Sequence, residues 1–374
     1  MNSDSPSQSS IIEFINGVDE TGRLLSPEVE PGPDLNLSDR EQRRLQHWSE
    51  FRDALRLPIH GVDPEDLGQS GWAVLWGPDV TSDVREALDP LVSRRLEESK
   101  GLGKQLDLGD EVDALTFLEE QSVVAGRVVP TRLPYYLLLV GDPARLPFEF
   151  QYRVDVQHAV GRLHFPEADD YAAYAQSVLA AEEEPGNGRE ARFWGAEIEG
   201  DVHSRWMLEE LLDPMVAGME AWQTDRGLYQ PSRTSAGTKA ALLEELRKPP
   251  AFLFTASHGM VFRNGADEER ARLQGALLCE DWRPSQGQAP GPEVYLAADD
   301  VPSGTDLAGL IACHFACYSA GCSALDPFEK GMMGTGRRQH PHAFISALSQ
   351  KLLTSGAQAV LGHVDRTWTT TFSF

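Results

Sequence analysis

Cysteine is scarce in this chain of 374 residues: there are four, Cys279, Cys313, Cys317 and Cys322, all in its last third. That number and placement exclude the disulfide frame of a small extracellular domain and fit reduced thiols. Nowhere do they form a CxxC pair, so Cys313, His314, Cys317 and Cys322 do not read as a zinc knuckle, although thiolate and imidazole are zinc ligands. Basic charge is short as well, with 33 Lys and Arg against 58 Asp and Glu and a formal net charge of −25. Such a chain repels a nucleic-acid backbone and an anionic membrane and favours cationic substrates. No apolar run approaches the ~18 residues of a spanning helix. The opening MNSDSPSQSS lacks the basic and apolar regions of a secretory signal, which predicts a cytoplasmic protein. Phosphate-cradling glycine loops are missing after the strand-like runs, which disfavours a Rossmann-like nucleotide binder.

What the chain does contain is a repeated alternation of buried strands and capped helices. GWAVLWG (71–77), YYLLLVGDP (135–143), ARFWGAEI (191–198), AFLFTASHG (251–259) and LAGLIACHFACYSAGC (307–322) read as apolar runs of strand length. Stretches of helical periodicity with Ser, Asp or Thr at their starts separate them. The pattern predicts an α/β protein whose mostly parallel central sheet is flanked by helices, with an N-terminal α/β half. Residues 1–38 are expected to be a mobile acidic arm, although IIEFI at 11–15 could dock on the body. Residues 39–165 are expected to form an N-terminal α/β subdomain, and 166–374 a catalytic subdomain. The latter ends so soon after its last strand that a truncated C-terminus is expected.

Two of the strand-like runs end on a reactive side chain followed by small residues: His258 before Gly259, and Cys317 shortly before Ser319, Ala320 and Gly321. A free thiol has a pKa of about 8.5 and is a weak nucleophile at neutral pH unless a base stands beside it. In a doubly wound sheet the loops after strand C-termini share one rim, so adjacent strands would bring imidazole and thiol together. Gly259 would leave room for a substrate carbonyl, and the N–H groups of Gly259 and Cys317 would hold an oxyanion. The plain alternative is a buried core cysteine and a satisfied histidine.

These two ends, AFLFTASHG followed by LIACHFACYSAG, resemble the His-Gly and Ala-Cys strand ends of the caspase-fold cysteine peptidases, and most closely the gingipain branch. YYLLLVGDPARLP is similar to that branch's Leu-Val-Gly-Asp segment, VDVQHAVGRL to its Asp-containing stretch, and GAQAVLGHVDRTW to its final strand ending in tryptophan. The likeness spans 135–368. It implies a caspase-like fold and an endopeptidase with Cys317 as nucleophile and His258 as its base, cleaving after Arg, or Lys. It implies Asp155 at the bottom of the P1 pocket and Trp368 as its wall, with Asp365 as the rival acid; Glu149 is a candidate to orient His258. Arg337 and Arg338, in GTGRRQHPH, fall where such proteases carry a processing loop, which implies a zymogen cut by itself or by an activating protease, or completed by a partner chain. The other reading of this pair is a basic surface turn. Protein substrates with exposed basic residues follow, and neither a nucleic-acid nor a membrane partner does. No cofactor is required; calcium stays open, since gingipain relatives bind it while no EF-hand pattern is present. The resemblance further implies regulated cell death or antiviral defence. The rival function is a catalytically inactive caspase-like domain that binds a partner through the same rim.

Overall fold

The computed structural model describes residues 17–22, 62–110, 113–123, 128–183, 190–223, 229–330 and 336–368. Short apolar runs bounded by Gly and Pro become strands, as their length dictates. After β1 (Gly17–Asp19) come β2 (Trp72–Trp76), β3 (Lys104–Asp107), β4 (Tyr136–Val140) and β5 (Ala159–Leu163). The last four form a parallel sheet in the order β3-β2-β4-β5. All five residues of β2 are buried, because helices cover both faces of the sheet. One face packs Trp72, Val74 and Trp76 against Leu88 and Leu91 of α1 (Ser82–Glu98), and the other packs Leu75 and Leu139 against Phe150 of α2 (Phe148–Val154). Tyr171 of α3 (Ala168–Glu183) joins the first face.

The second sheet repeats the plan with β6 (Glu190–Gly195), β7 (Gln230–Arg233), β8 (Phe252–Ala256), β12 (Ile311–Phe315) and β17 (Ala359–Leu361), in the order β17-β12-β8-β6-β7 and parallel throughout. Its helices include α4 (Val202–Trp206), α5 (Asp267–Leu273) and α6 (Ala347–Thr354). Trp194, Leu253, Leu277, Leu307, Ala312 and Leu352 share its main core. The two halves meet along α3: Tyr174 donates to Gln358 O at 3.1 Å, and Ser177 to Gly356 O at 2.9 Å. The architecture is therefore α/β with parallel sheets flanked by helices. No helix among the described residues is long and apolar enough to cross a membrane.

A smaller sheet continues past His258. In it β9 (Gly259–Val261) pairs with β1 in parallel, and β10 (Leu277–Leu278) lies antiparallel to both β9 and β11 (Tyr295–Leu296). Gly17–Asp19, within the stretch expected to be a mobile arm, is thus a strand. It covers an edge that β9 would otherwise expose, and Glu20 anchors it by accepting from Arg263 N at 2.9 Å. Apart from 20–22, the rest of 1–38, including 11–15, lies outside the described residues. After Cys317, β13 (Gly321–Cys322) pairs with β16 (Phe344–Ile345), and β14 (Leu325–Lys330) forms a hairpin with β15 (Gly336–Arg338).

Candidate active site

The register that joins β8 to β12 holds to their last pair. Thr255 lies beside His314 and Ala256 beside Phe315, an offset of 59, and Ser257 N donates to Phe315 O at 3.2 Å. His258 and Cys317 each follow that last pair by two residues, with the same offset of 59. Imidazole and thiol thus stand at the C-terminal ends of adjacent strands, on the rim where such sheets hold ligands. Gly259 shows how close the two chains run: a Cβ there would lie 1.9 Å from Cys317 O and 2.7 Å from its carbonyl carbon. Only glycine fits. The sequence suggested that this glycine makes room for a substrate carbonyl, whereas the space is filled by the Cys317 backbone.

A carboxylate can only accept, so His258 Nε2–H donates to Asp201 Oδ2, at 2.5 Å. The other ring nitrogen, Nδ1, is buried with no hydrogen-bond partner among the described residues. Asp201 caps α4 just after β6, accepting from His203 N at 3.0 Å and Ser204 N at 3.1 Å. Burial pushes its carboxyl up, but the hydrogen bond and charge of His258, with the two amides, outweigh that and hold it well below the usual carboxylate range. Three neighbouring strands, β6, β8 and β12, therefore supply Asp201, His258 and Cys317. Glu149 is not the group on the histidine; it opens α2 with an exposed side chain. Sequence reasoning passed over Asp201, yet a signal was there: an Asp between a strand-like run and a helical one is an N-cap on this same rim.

The thiol is covered. Cys317 is fully buried, Thr367 N–H donates to its Sγ at 3.2 Å, and Thr367 Oγ1 lies 3.6 Å away. Burial pushes the thiol up to about 11, with Thr367 pulling the other way. The next residue, Tyr318, has a φ of +59°, a left-handed backbone that a bulky side chain adopts only when its surroundings hold it there. Those surroundings are visible: Tyr318 N donates to Asp365 O at 3.0 Å, and its hydroxyl accepts from Arg366 Nε at 3.3 Å. Arg366 is paired with Asp326, both buried. Trp368 packs against Cys317, Tyr318, Val261 and Cys322. Residues 365–368 thus lie over the sulfur.

Of the two acids proposed for a basic pocket, Asp365 belongs to this assembly. Its Oδ2 accepts from Tyr152 at 3.5 Å, and its Oδ1 is buried with no hydrogen-bond partner among the described residues. Burial pushes the carboxyl up to about 6. Asp155, by contrast, is the exposed C-cap of α2 and has no hydrogen bond to this cluster among the described residues. Cys313 lies inside β12, beside Phe254 and Leu361, rather than at the rim. Strand alternation turns His314 to the opposite face, where its Nδ1 shares a 2.8 Å hydrogen bond with Thr255. Among the described residues no group of three or more His, Cys, Asp or Glu is arranged to hold a metal ion. Arg337 and Arg338 are exposed but sit on β15, opposite Asp326 and Leu325 of β14. They are strand-paired rather than part of an open loop.

No protein-family profile matches the chain, and no curated protein matches it. A solved structure described as "Structure of Protease" is similar over 79% of the chain, with 11% sequence identity and a TM-score of 0.47. The chain spans 60% of the length of that structure. At this similarity the likeness speaks to neither mechanism nor substrate.

Proposed function

We propose that this protein is a cysteine endopeptidase that cleaves proteins after basic residues, with Cys317 as nucleophile, His258 as proton carrier and Asp201 as its positioning residue. The observation that carries this reading is the line of three adjacent strand ends, in which Asp201 occupies Nε2 of His258 and leaves Nδ1 buried and, among the described residues, unbonded on the rim where β12 runs into Cys317. In the reaction, Nδ1 takes the Cys317 proton and the thiolate attacks the scissile carbonyl carbon. With the space at Gly259 filled, the oxyanion falls to the Cys317 amide. As the C–N bond breaks, the proton on Nδ1 passes to the leaving amine, and water then hydrolyses the thioester. For P1, Asp365 with Trp368 is better supported than Asp155, because both belong to the cluster around Cys317 and a carboxylate suits a guanidinium.

The conformation described is a resting one in this reading, since residues 365–368 cover the sulfur. A shift that lifts Thr367 off the sulfur while Asp365 and Trp368 stay at the site, set off by processing of the β14–β15 hairpin or by a partner chain, precedes turnover. Cys317→Ala should abolish cleavage of Arg-containing fluorogenic peptides by the processed protein, while Cys313→Ala keeps most of it. Equal loss from both substitutions would defeat the assignment. The complete burial of Cys317 favours a second reading, a catalytically silent binding domain of the same fold. An electrophilic thiol probe separates the two: labelling of Cys317 that accompanies peptide cleavage supports the enzyme, and a thiol inert in every processed form supports the binding domain.

A further inference from the structure

Gly17–Asp19 is joined to a strand far away in the sequence, and the structure shows what holds it there. β1 lies parallel to β9 at the edge of the small sheet, with Gly17 opposite Gly259, Val18 opposite Met260 and Asp19 opposite Val261. Glu20 N extends the ladder by donating to Val261 O at 3.0 Å. The Glu20 carboxylate accepts from two donors of the loop beyond β9, Arg263 N at 2.9 Å and Asn264 Nδ2 at 2.5 Å. Asp19 closes the strand by accepting from Thr21 N at 2.9 Å, and the turn sets Gly22 against the Trp282 indole. Gly22 has a φ of +84°, and a Cβ on it would lie 2.7 Å from Trp282 Cζ2, so the contact requires glycine. These contacts are a backbone ladder, a carboxylate on N–H donors and a glycine on an aromatic ring. Asp19 to Gly22 add no side chain to an apolar core. A bound peptide adds itself to a sheet edge in the same way.

We propose that the β9 edge is a strand-acceptor site for an extended acidic segment of another polypeptide, and that residues 17–22 are its built-in occupant. The segment it takes carries a glutamate directly after the paired residues and a glycine two residues later. Main-chain hydrogen bonds to β9 supply sequence-independent affinity. Selectivity comes from the charge-assisted bonds of the glutamate to Arg263 N and Asn264 Nδ2, and from the glycine that Trp282 demands. The occupant can be exchanged because three residue pairs at a sheet edge form a small unit that opens locally without unfolding the body. Gly259, opposite the first paired residue, directly follows His258, so an incoming segment starts at the border of the candidate active site. This binding does not depend on the peptidase reading, and it can be measured on a protein that cleaves nothing.

The probe is a fluorescein-labelled peptide, INGVDETGRL, the sequence of 15–24, titrated with the full chain and read by fluorescence anisotropy. An occupant on the same chain acts at an effective concentration on the order of millimolar, so the peptide should stay free of the wild type at micromolar concentrations. Glu20→Lys in the full chain removes the anchor and opens the edge. The peptide should then bind saturably, about tenfold or more tightly than to the wild type. Gly22→Leu, which undocks the segment at Trp282 instead, keeps the test valid should Glu20→Lys fail to fold. The Glu20→Lys version of the peptide should bind about tenfold or more weakly, and so should the original peptide once Asn264→Asp is added to the opened chain. The proposal is overturned by an absence of saturable binding to both opened variants, by a wild type that binds as tightly as they do, or by an affinity that neither Glu20→Lys in the peptide nor Asn264→Asp in the chain alters.

Discussion

The two parallel sheets end in rims that are built alike and behave differently. On the N-terminal sheet, β2 and β4 run into Gly77 and Gly141, and the acids beyond them close the turns: Asp142 N donates to Asp79 Oδ2 at 3.0 Å, and Ala144 N to Asp142 Oδ1 at 2.8 Å. On the C-terminal sheet, β6, β8 and β12 run into Asp201, His258 and Cys317. There the acid is turned on a neighbouring imidazole, a ring nitrogen is left unbonded, and a tyrosine is forced to positive φ. Topology alone makes both rims candidates. Among the described residues a buried unbonded imidazole nitrogen occurs on both, at His164 after β5 and at His258 after β8, so what distinguishes them is the backbone strain at Tyr318, which a stable fold avoids unless something else demands it.

The sharpest way to break this contrast is to add a methyl group to each rim. At Gly259 a Cβ meets Cys317 O, C and N at 1.9, 2.7 and 2.9 Å, three backbone atoms that cannot move aside separately. At Gly77 it meets Val140 O at 2.9 Å and the side-chain Oδ1 of Asp79 at 3.0 Å. Gly259→Ala should therefore cost at or above the ~4–5 kcal/mol that marks exceptional substitutions, and Gly77→Ala clearly less, within the ordinary ~0.5–3 kcal/mol. Denaturant unfolding of the two variants measures this. Equal losses would show that the rims are packed alike.

A smaller effect is expected from ion pairs. Arg366→Met leaves Asp326 buried without its partner, a change that costs about 3–5 kcal/mol. It also loosens residues 365–368, so iodoacetamide should reach Cys317 faster than in the wild type. On the N-terminal side, Arg145→Gln removes an exposed pair with Asp110 at 3.1 Å and should cost less than about 1 kcal/mol. Unfolding curves and thiol-labelling rates of the two variants test this. Unchanged labelling in Arg366→Met would mean that the pair does not hold the cover.

Much of this site was legible in the sequence because its parts are continuous. The runs that became β2, β4, β8 and β12 are apolar over strand length, and His258 and Cys317 follow the last two directly. What escaped was either short or non-local. The excursion after His258 holds β9, β10 and β11, strands of two or three residues that show no periodicity. Gly17–Asp19 is fixed by a partner more than two hundred residues away. Tyr318 carries no glycine signal for its positive φ, since its neighbours impose the conformation. GTGRRQHPH reads as a loop from its glycines, whereas Arg337 and Arg338 pair with β14 through contacts that local pattern cannot show. Asp155 was chosen by resemblance alone, and helix α2 puts it on an exposed cap.

Proton binding gives the smallest contrast and the one with opposite signs. Burial pushes both His314 and His340 down to about 4, so between that value and 6.5 the unfolded chain binds protons that the folded chain does not. Their contribution to stability is complete above pH 6.5 and is lost as pH falls through this window. At about 1.4 kcal/mol per unit, going from pH 7 to pH 5 costs about 2 kcal/mol for each buried imidazole. Asp365 runs the other way. Its carboxyl is held at about 6 rather than 3.8, so the folded chain keeps a proton that the unfolded chain loses, and stability falls as pH rises between those values. Asp365→Asn should then gain on the order of 3 kcal/mol at pH 7 and nothing near pH 4. Unfolding free energies of wild type and variant across pH 4–7 measure it. A gain that is the same at both ends would show that the carboxyl is not held in an unfavourable charged form. In the proposed peptidase that form is what a basic P1 side chain needs, so the preference for Arg reporters should strengthen as pH passes 6.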